Sequence, residues 1–152
     1  MAEQLADALT QVTGIPEKYR GYMPGTRAMS IPQGAPSYFL QTFGRMRARE
    51  VICERDNQPD MAQTMHLISG DTLRKKTTAK GGWLDRWLNE ASLNDEEIVR
   101  RMFVSALSRP PDGRELSLAL GPIRSAGTGA RRQAFEDTLW AIFNSKEFLH
   151  NH

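Results

Sequence analysis

The sequence predicts an all-α domain: a compact bundle of about six helices with a long Pro/Gly-rich loop packed on it. Three observations carry that reading. Apolar residues recur at i, i+3, i+4 and i+7 in successive segments. No stretch of useful length alternates apolar with polar residues, so no strand pattern competes. Gly, Pro or an Asx/Ser cap punctuates most of the periodic segments. The chain has 152 residues, 39% of them hydrophobic and 25% charged, with no internal repeat. That suits one domain, long enough to bury a core without disulfides or a structural metal.

In order along the chain, residues 2–13 put Leu5, Ala8, Leu9 and Val12 on one helical face, and Gly14 then Pro16 stop the helix. Residues 15–36 hold Pro16, Pro24, Pro32 and Pro36 with Gly21, Gly25 and Gly34, which no helix or ladder tolerates. Tyr19, Tyr22, Met23 and Met29 favour an ordered loop packed on the body. Residues 37–44 read as a short helix capped by Ser37, and residues 45–58 as an irregular Arg-rich segment. Pro59 opens a helix over 59–69 with Met61, Met65 and Ile68 on one face. Asp71 caps a helix over 72–80, and Gly81-Gly82 separates it from one over 83–91 carrying Trp83 and Trp87 on a shared face.

Residues 94–108 form the clearest helix, with Asn94 as N-cap and Asp95, Glu96 and Glu97 complementing the dipole. Pro110-Pro111 ends it. A helix over 112–126 follows, which Pro122 is expected to kink or break. A helix over 130–144 buries Phe135, Leu139, Trp140, Ile142 and Phe143, and Ser145 caps a last turn with Phe148 and Leu149.

Composition excludes several function classes. The 20 Lys+Arg against 18 Asp+Glu leave a net charge of +2, too small to argue for nucleic acid or a membrane surface. No apolar run approaches the ~18 residues of a membrane span, so no membrane insertion is expected. Cys53 is the single cysteine and can form neither an intramolecular disulfide nor a Cys-based zinc site. No C-x-x-C-H occurs, so no haem attachment and no other cofactor is expected in this chain. The opening residues, MAEQLADALTQ, lack the basic and apolar regions of a signal peptide.

Five segments in order carry a family resemblance: GYMPGTRA, SYFLQTFGR, CERDNQPDMAQTMHLISGDT over 53–72, RMFVSALSRPPDGREL, and the closing FEDTLWAIFNSKEFLHNH. Together they resemble the C-terminal domain of unknown function common in planctomycetes and related bacteria. The resemblance runs from Leu5 to His152. It implies a piece of a longer, exported, multidomain protein that also carries a planctomycete-type cytochrome c domain and a second uncharacterised domain. It implies no activity. The chain departs from the family pattern at Val51, where a second cysteine is usual, at Asp56, where serine is usual, and at Pro122. Compartment stays open, because the resemblance implies export while the opening residues show no leader.

The densest polar cluster is Glu54, Arg55, Gln63 and His66. Gln63 and His66 lie three apart and share a helix face. The cluster fits a ligand pocket, with His66 as an acid–base or metal group and Arg55 on an anion, or a buried network pinning the 45–58 segment. Arg27, in the glycine-rich loop, could reach a carboxylate or phosphate, or dock the loop onto helix carbonyls. Arg45, Arg47 and Arg49 alternate, the basis of a weaker nucleic-acid reading. Arg74, Lys75, Lys76 and Lys80 cluster, so either group could form a phosphate-binding face, but with the near-neutral total and Glu50, Glu54 and Asp56 close by both read as a solvated surface with internal ion pairs. A Cys53–His66 nucleophile–base pair lacks any sign of an activated thiolate, and His66, His150 and His152 offer no metal-ligand spacing outside the tail pair. The catalytic residues are therefore unknown and the metal ligands none. The expected role is a non-catalytic interaction or docking module, with other domains of a parent chain or a protein partner as its target. The alternative is a ligand-binding or hydrolytic domain at the Glu54–His66 cluster.

Overall fold

The computed structural model describes residues 2–32, Ser37, Leu40 and residues 71–151. Among these the all-α expectation holds, with seven α-helices, one 3-10 turn and no strand. Helix α1 spans Ala2–Thr13 and buries Leu5, Leu9 and Val12, the stripe its spacing foretells. It stops at Gly14, whose φ of 68° is the left-handed region. A side chain there would also collide, since a Cβ would lie 2.8 Å from the indole of Trp83. That indole donates its N–H to the carbonyl of Gln11 at 3.1 Å and carries the Arg86 guanidinium 4.8 Å from its ring centre.

The loop after α1 is ordered and packed through residue 32, as its aromatic content implies. Tyr19, Ala28 and Ile31 are buried, while Met23 and Met29 stay exposed. Asp7 on α1 holds the 3-10 turn Ala28–Ser30: its carboxylate accepts the N–H of Ala28 at 2.6 Å and of Met29 at 3.3 Å. The loop's docking group is thus a carboxylate on the helix, not Arg27 reaching out from the loop.

Helix α2, Asp71–Thr78, corrects the reading of the basic cluster. Arg74 and Lys75 are exposed, but Lys76 is 6% exposed. Its ammonium donates to the carbonyl of Ile15 at 2.7 Å and to the Thr10 hydroxyl at 3.2 Å, and pairs with Glu17 at 3.2 Å. Burial pushes its pKa down and the Glu17 carboxylate works against that shift. Lys76 therefore staples the loop to α1 and α2 instead of facing a phosphate. Asp71 lies inside the helix rather than before it.

Helices α3 (Trp83–Asn89), α4 (Asp95–Leu107), α5 (Gly113–Ser125), α6 (Arg131–Phe143) and α7 (Lys146–Asn151) follow, each within two residues of its expected bounds at the end where the sequence gives one. Asn94 caps α4 in a capping box with Glu97, and Asp112 caps α5 in one with Glu115. Ser145 Oγ accepts the N–H of Phe148 at 3.2 Å, so it caps α7 as expected. Helix α4 is the axis of the bundle. Its Ile98, Val99 and Met102 are fully buried, and it touches α1, α3, α5, α6 and α7.

Pro122 does not break α5. The helix continues to Ser125, and the carbonyl of Pro122 accepts the N–H of Ala126 at 2.9 Å. The missing N–H would have served the carbonyl of Leu118, an exposed residue. The expected helices over 37–44 and 59–69 and the irregular segment 45–58 lie outside the described residues, save that Leu40 is helical and fully buried, with its N–H 3.4 Å from Ser37 Oγ.

Replacing Gly14 by Ala is expected to cost about 2–3 kcal/mol, from the left-handed backbone and the Trp83 contact together. Replacing Gly25, which shares the positive φ but has open space around it, is expected to cost about 1 kcal/mol. Urea denaturation followed by tryptophan fluorescence measures both, and equal losses would remove the indole contact from the account.

Candidate functional site

Most of the candidate residues singled out from sequence (Arg45, Glu54, Arg55, Gln63 and His66) lie outside the described residues, as do Arg47, Arg49 and Cys53. Arg27 is exposed at the start of the 3-10 turn, where its carbonyl accepts the N–H of Ser30 at 3.0 Å. No two of these candidates are brought together among the described residues. There, no group of three or more His, Cys, Asp or Glu could hold a metal ion, and no helix is long and apolar enough to cross a membrane.

A concavity among the described residues lies elsewhere, between α5 and α6, with a volume of about 560 Å³. One wall is the α5 row Leu118, Ala119 and Pro122. The other is the α6 row Ala134, Thr138 and Ala141. Phe103 and Leu107 from α4 and Ile142 from α6 add the apolar lining that continues into the core. These rows repeat at helical spacing beside the residues each helix buries, Leu120 and Ile123 on one and Phe135, Leu139 and Phe143 on the other, and Ala119 and Ala134 are half-buried against the core. The carboxylates of Glu115, Asp137 and Glu147 also line the groove.

Arg109 organises one end of it. Ser108 closes α4 in the left-handed conformation, with φ of 58°, and Pro110 keeps the residue before it out of the helical region. The guanidinium then forks twice. Its Nε and Nη2 donate to the two oxygens of Glu147 at 2.7 and 2.6 Å, and its Nη1 and Nη2 donate to the two oxygens of Glu115 at 2.8 Å each. Nη1 also donates to the carbonyl of Pro110 at 3.2 Å. All five guanidinium N–H groups are thereby engaged. Glu115 has a further role, because its Oε2 accepts the N–H of Asp112 at 2.8 Å in the capping box. One arginine thus joins the end of α4, the start of α5 and the start of α7.

The electrostatic consequence is that these carboxylates are held ionised. Hydrogen bonding from Arg109 pulls Glu115 down to about 2 and Glu147 below the usual carboxylate range, while Arg109 itself is pushed further up. The hydroxyls at the groove are committed as well: Thr138 donates to the carbonyl of Ala134 at 2.8 Å, and Ser145 caps α7. Acid–base catalysis needs a group that exchanges protons near neutral pH, and these groups are moved the other way. The arrangement can bury apolar surface and attract positive charge.

Sequence reasoning passed over this site. Two signals pointed to it. The stretch Leu116-Ser117-Leu118-Ala119-Leu120 is more apolar than a single buried face requires, and Arg109-Pro110-Pro111-Asp112 is followed by Glu115 at capping-box spacing. Comparison with protein-family models, with curated proteins and with solved structures finds no match.

The Arg109 fork makes a pH prediction. Glu115 and Glu147 bind fewer protons folded than unfolded, so their contribution to stability is present above about pH 4.5 and is lost as pH falls towards 2. Arg109→Met should therefore be less stable than wild type at neutral pH, with the gap narrowing through that acid window. Urea titrations at neutral and acid pH measure the gap, and a constant difference would show that the fork does not set these protonations.

Proposed function

We propose that the chain is a non-catalytic docking module of a larger exported bacterial protein, and that the α5–α6 groove is its contact surface. The observation that carries this reading is an apolar groove at one end of which Arg109 holds Glu115 and Glu147 ionised. Leu118 is a large apolar side chain left 67% exposed at its wall, and such exposure within a concave apolar surface marks interaction sites. Alanines along both walls allow a close approach of another backbone. The sequence resemblance to planctomycete C-terminal domains supports placing the module beside other domains of an exported chain.

The length of the groove suits a helix. From Ala130 to Ala141 the α6 row extends about 16 Å at helical rise, room for about three turns of a guest. Selection of a displayed library of helical peptides against the whole chain should enrich sequences with an apolar i, i+3/i+4, i+7 stripe. Ala134→Trp, which fills the groove, and Leu118→Gln, which strips its wall, should each weaken those peptides by about tenfold or more. Peptides that bind both variants as tightly as the wild type would remove the groove from this reading.

A further inference from the structure

The groove is an acidic apolar surface in a chain whose total charge is positive. Its lining contributes Glu115, Asp137 and Glu147 and no Lys, Arg or His, although the chain holds 20 Lys+Arg against 18 Asp+Glu. Arg109 offsets only one of the three carboxylates. Asp137 is exposed, and its carboxylate meets the neutral amide of Gln133 at 2.8 Å. The arginines at the start of α6 are paired elsewhere: Arg131 with Asp95 on α4, and Arg132 with Asp85 on α3 and with Glu136 on α6 itself. Among the described residues the lining itself holds no cation to answer its excess negative charge; Arg114, Arg124 and Lys146 are exposed and lie outside it.

Resting on the docking reading above, we infer that the occupant is a cationic amphipathic helix of a protein partner, its apolar stripe seated between α5 and α6 and its Lys/Arg flanks set against Asp137, Glu147 and Glu115. Charge complementarity selects this occupant. An anionic lipid surface would be repelled by the same carboxylates, and an acidic helix would bury like charges against them. The apolar stripe supplies most of the affinity and the carboxylates supply the choice of partner and the rate of encounter.

Isothermal titration calorimetry on the whole chain tests this with three matched helical peptides that share one leucine stripe and carry Lys, Glu or Gln on the polar face. The Leu–Lys peptide should bind about tenfold or more tighter than the Leu–Glu peptide, and raising salt from ~0.05 to ~0.5 M should close most of that gap. Asp137→Lys, at an exposed position, should narrow the gap while sparing the Leu–Gln peptide. Ala134→Trp and Leu118→Gln should weaken all three. If the three peptides bind alike and the groove variants abolish binding, the cationic partner is overturned and the docking groove stands. If none binds, or the groove variants bind as wild type does, the docking reading itself falls. Preference for phosphatidylglycerol vesicles over the peptides, or a dimer of the chain that occupies the groove at working concentration, would also overturn the inference.

Discussion

Helix α4 sets the terms for the rest of this fold. Its stripe of Ile98, Val99, Met102 and Ala106 is removed from water almost completely, and five of the other described helices lie against it. At about 1.5–3 kcal/mol for each large apolar side chain buried, that stripe is the main reason for the neighbouring helices to assemble where they do. Each neighbour then has one face committed to the axis. α5 spends Leu120 and Ile123 on it, and α6 spends Phe135, Leu139 and Phe143 on the core. The rows beside those faces are covered only in part: Ala119 and Ala134 are half-buried against the core while Leu118 and Ala141 stay exposed, and the groove is what remains between them. The concavity is thus a by-product of a bundle built around one axis, with more apolar surface on two helices than that axis can bury.

Arg109 turns this geometry into a defined site. Ion pairs on open surface contribute little, because water competes and long side chains lose freedom. Here one planar group meets two carboxylates, each through both oxygens, and its remaining N–H is taken by a carbonyl. Its position is prepared by the backbone on both sides: a left-handed Ser108 before it and two prolines after it. The fork fixes where α5 and α7 begin relative to the end of α4, and so fixes the width of the groove at that end. It also keeps two carboxylates charged there, which links the packing of helix termini to the chemistry offered to a partner.

Helix α1 and the loop through residue 32 are held by different means. Asp7 and Lys76 are charged groups turned towards backbone: a carboxylate accepting the N–H groups of a 3-10 turn and an ammonium donating to the carbonyl of Ile15. Together with the Trp83 indole seated on Gly14, they convert a stretch rich in Pro and Gly into a fixed strap across α1, α2 and α3. Backbone that leaves regular structure must still satisfy its polar groups, and here the helices supply the partners.

What the sequence by itself determined is the local grammar. The stripe of α1, the Asn94 cap of α4, the stop at Pro110-Pro111, the Ser145 cap of α7 and the packed state of the loop through residue 32 were legible, because each depends on neighbours a few residues away. The break expected at Pro122 does not occur, since the helix runs on to Ser125, which spacing along a chain does not reveal. Lys76 misled because three consecutive cations with Lys80 close by look like solvated surface until tertiary packing turns one inward against Ile15 and Glu17. The groove and its Arg109 fork were decided only by the tertiary structure. Glu147 lies 38 positions from the arginine it binds, and the apolar rows of α5 and α6 become a single concave surface only when α4 has claimed the adjoining faces of both helices.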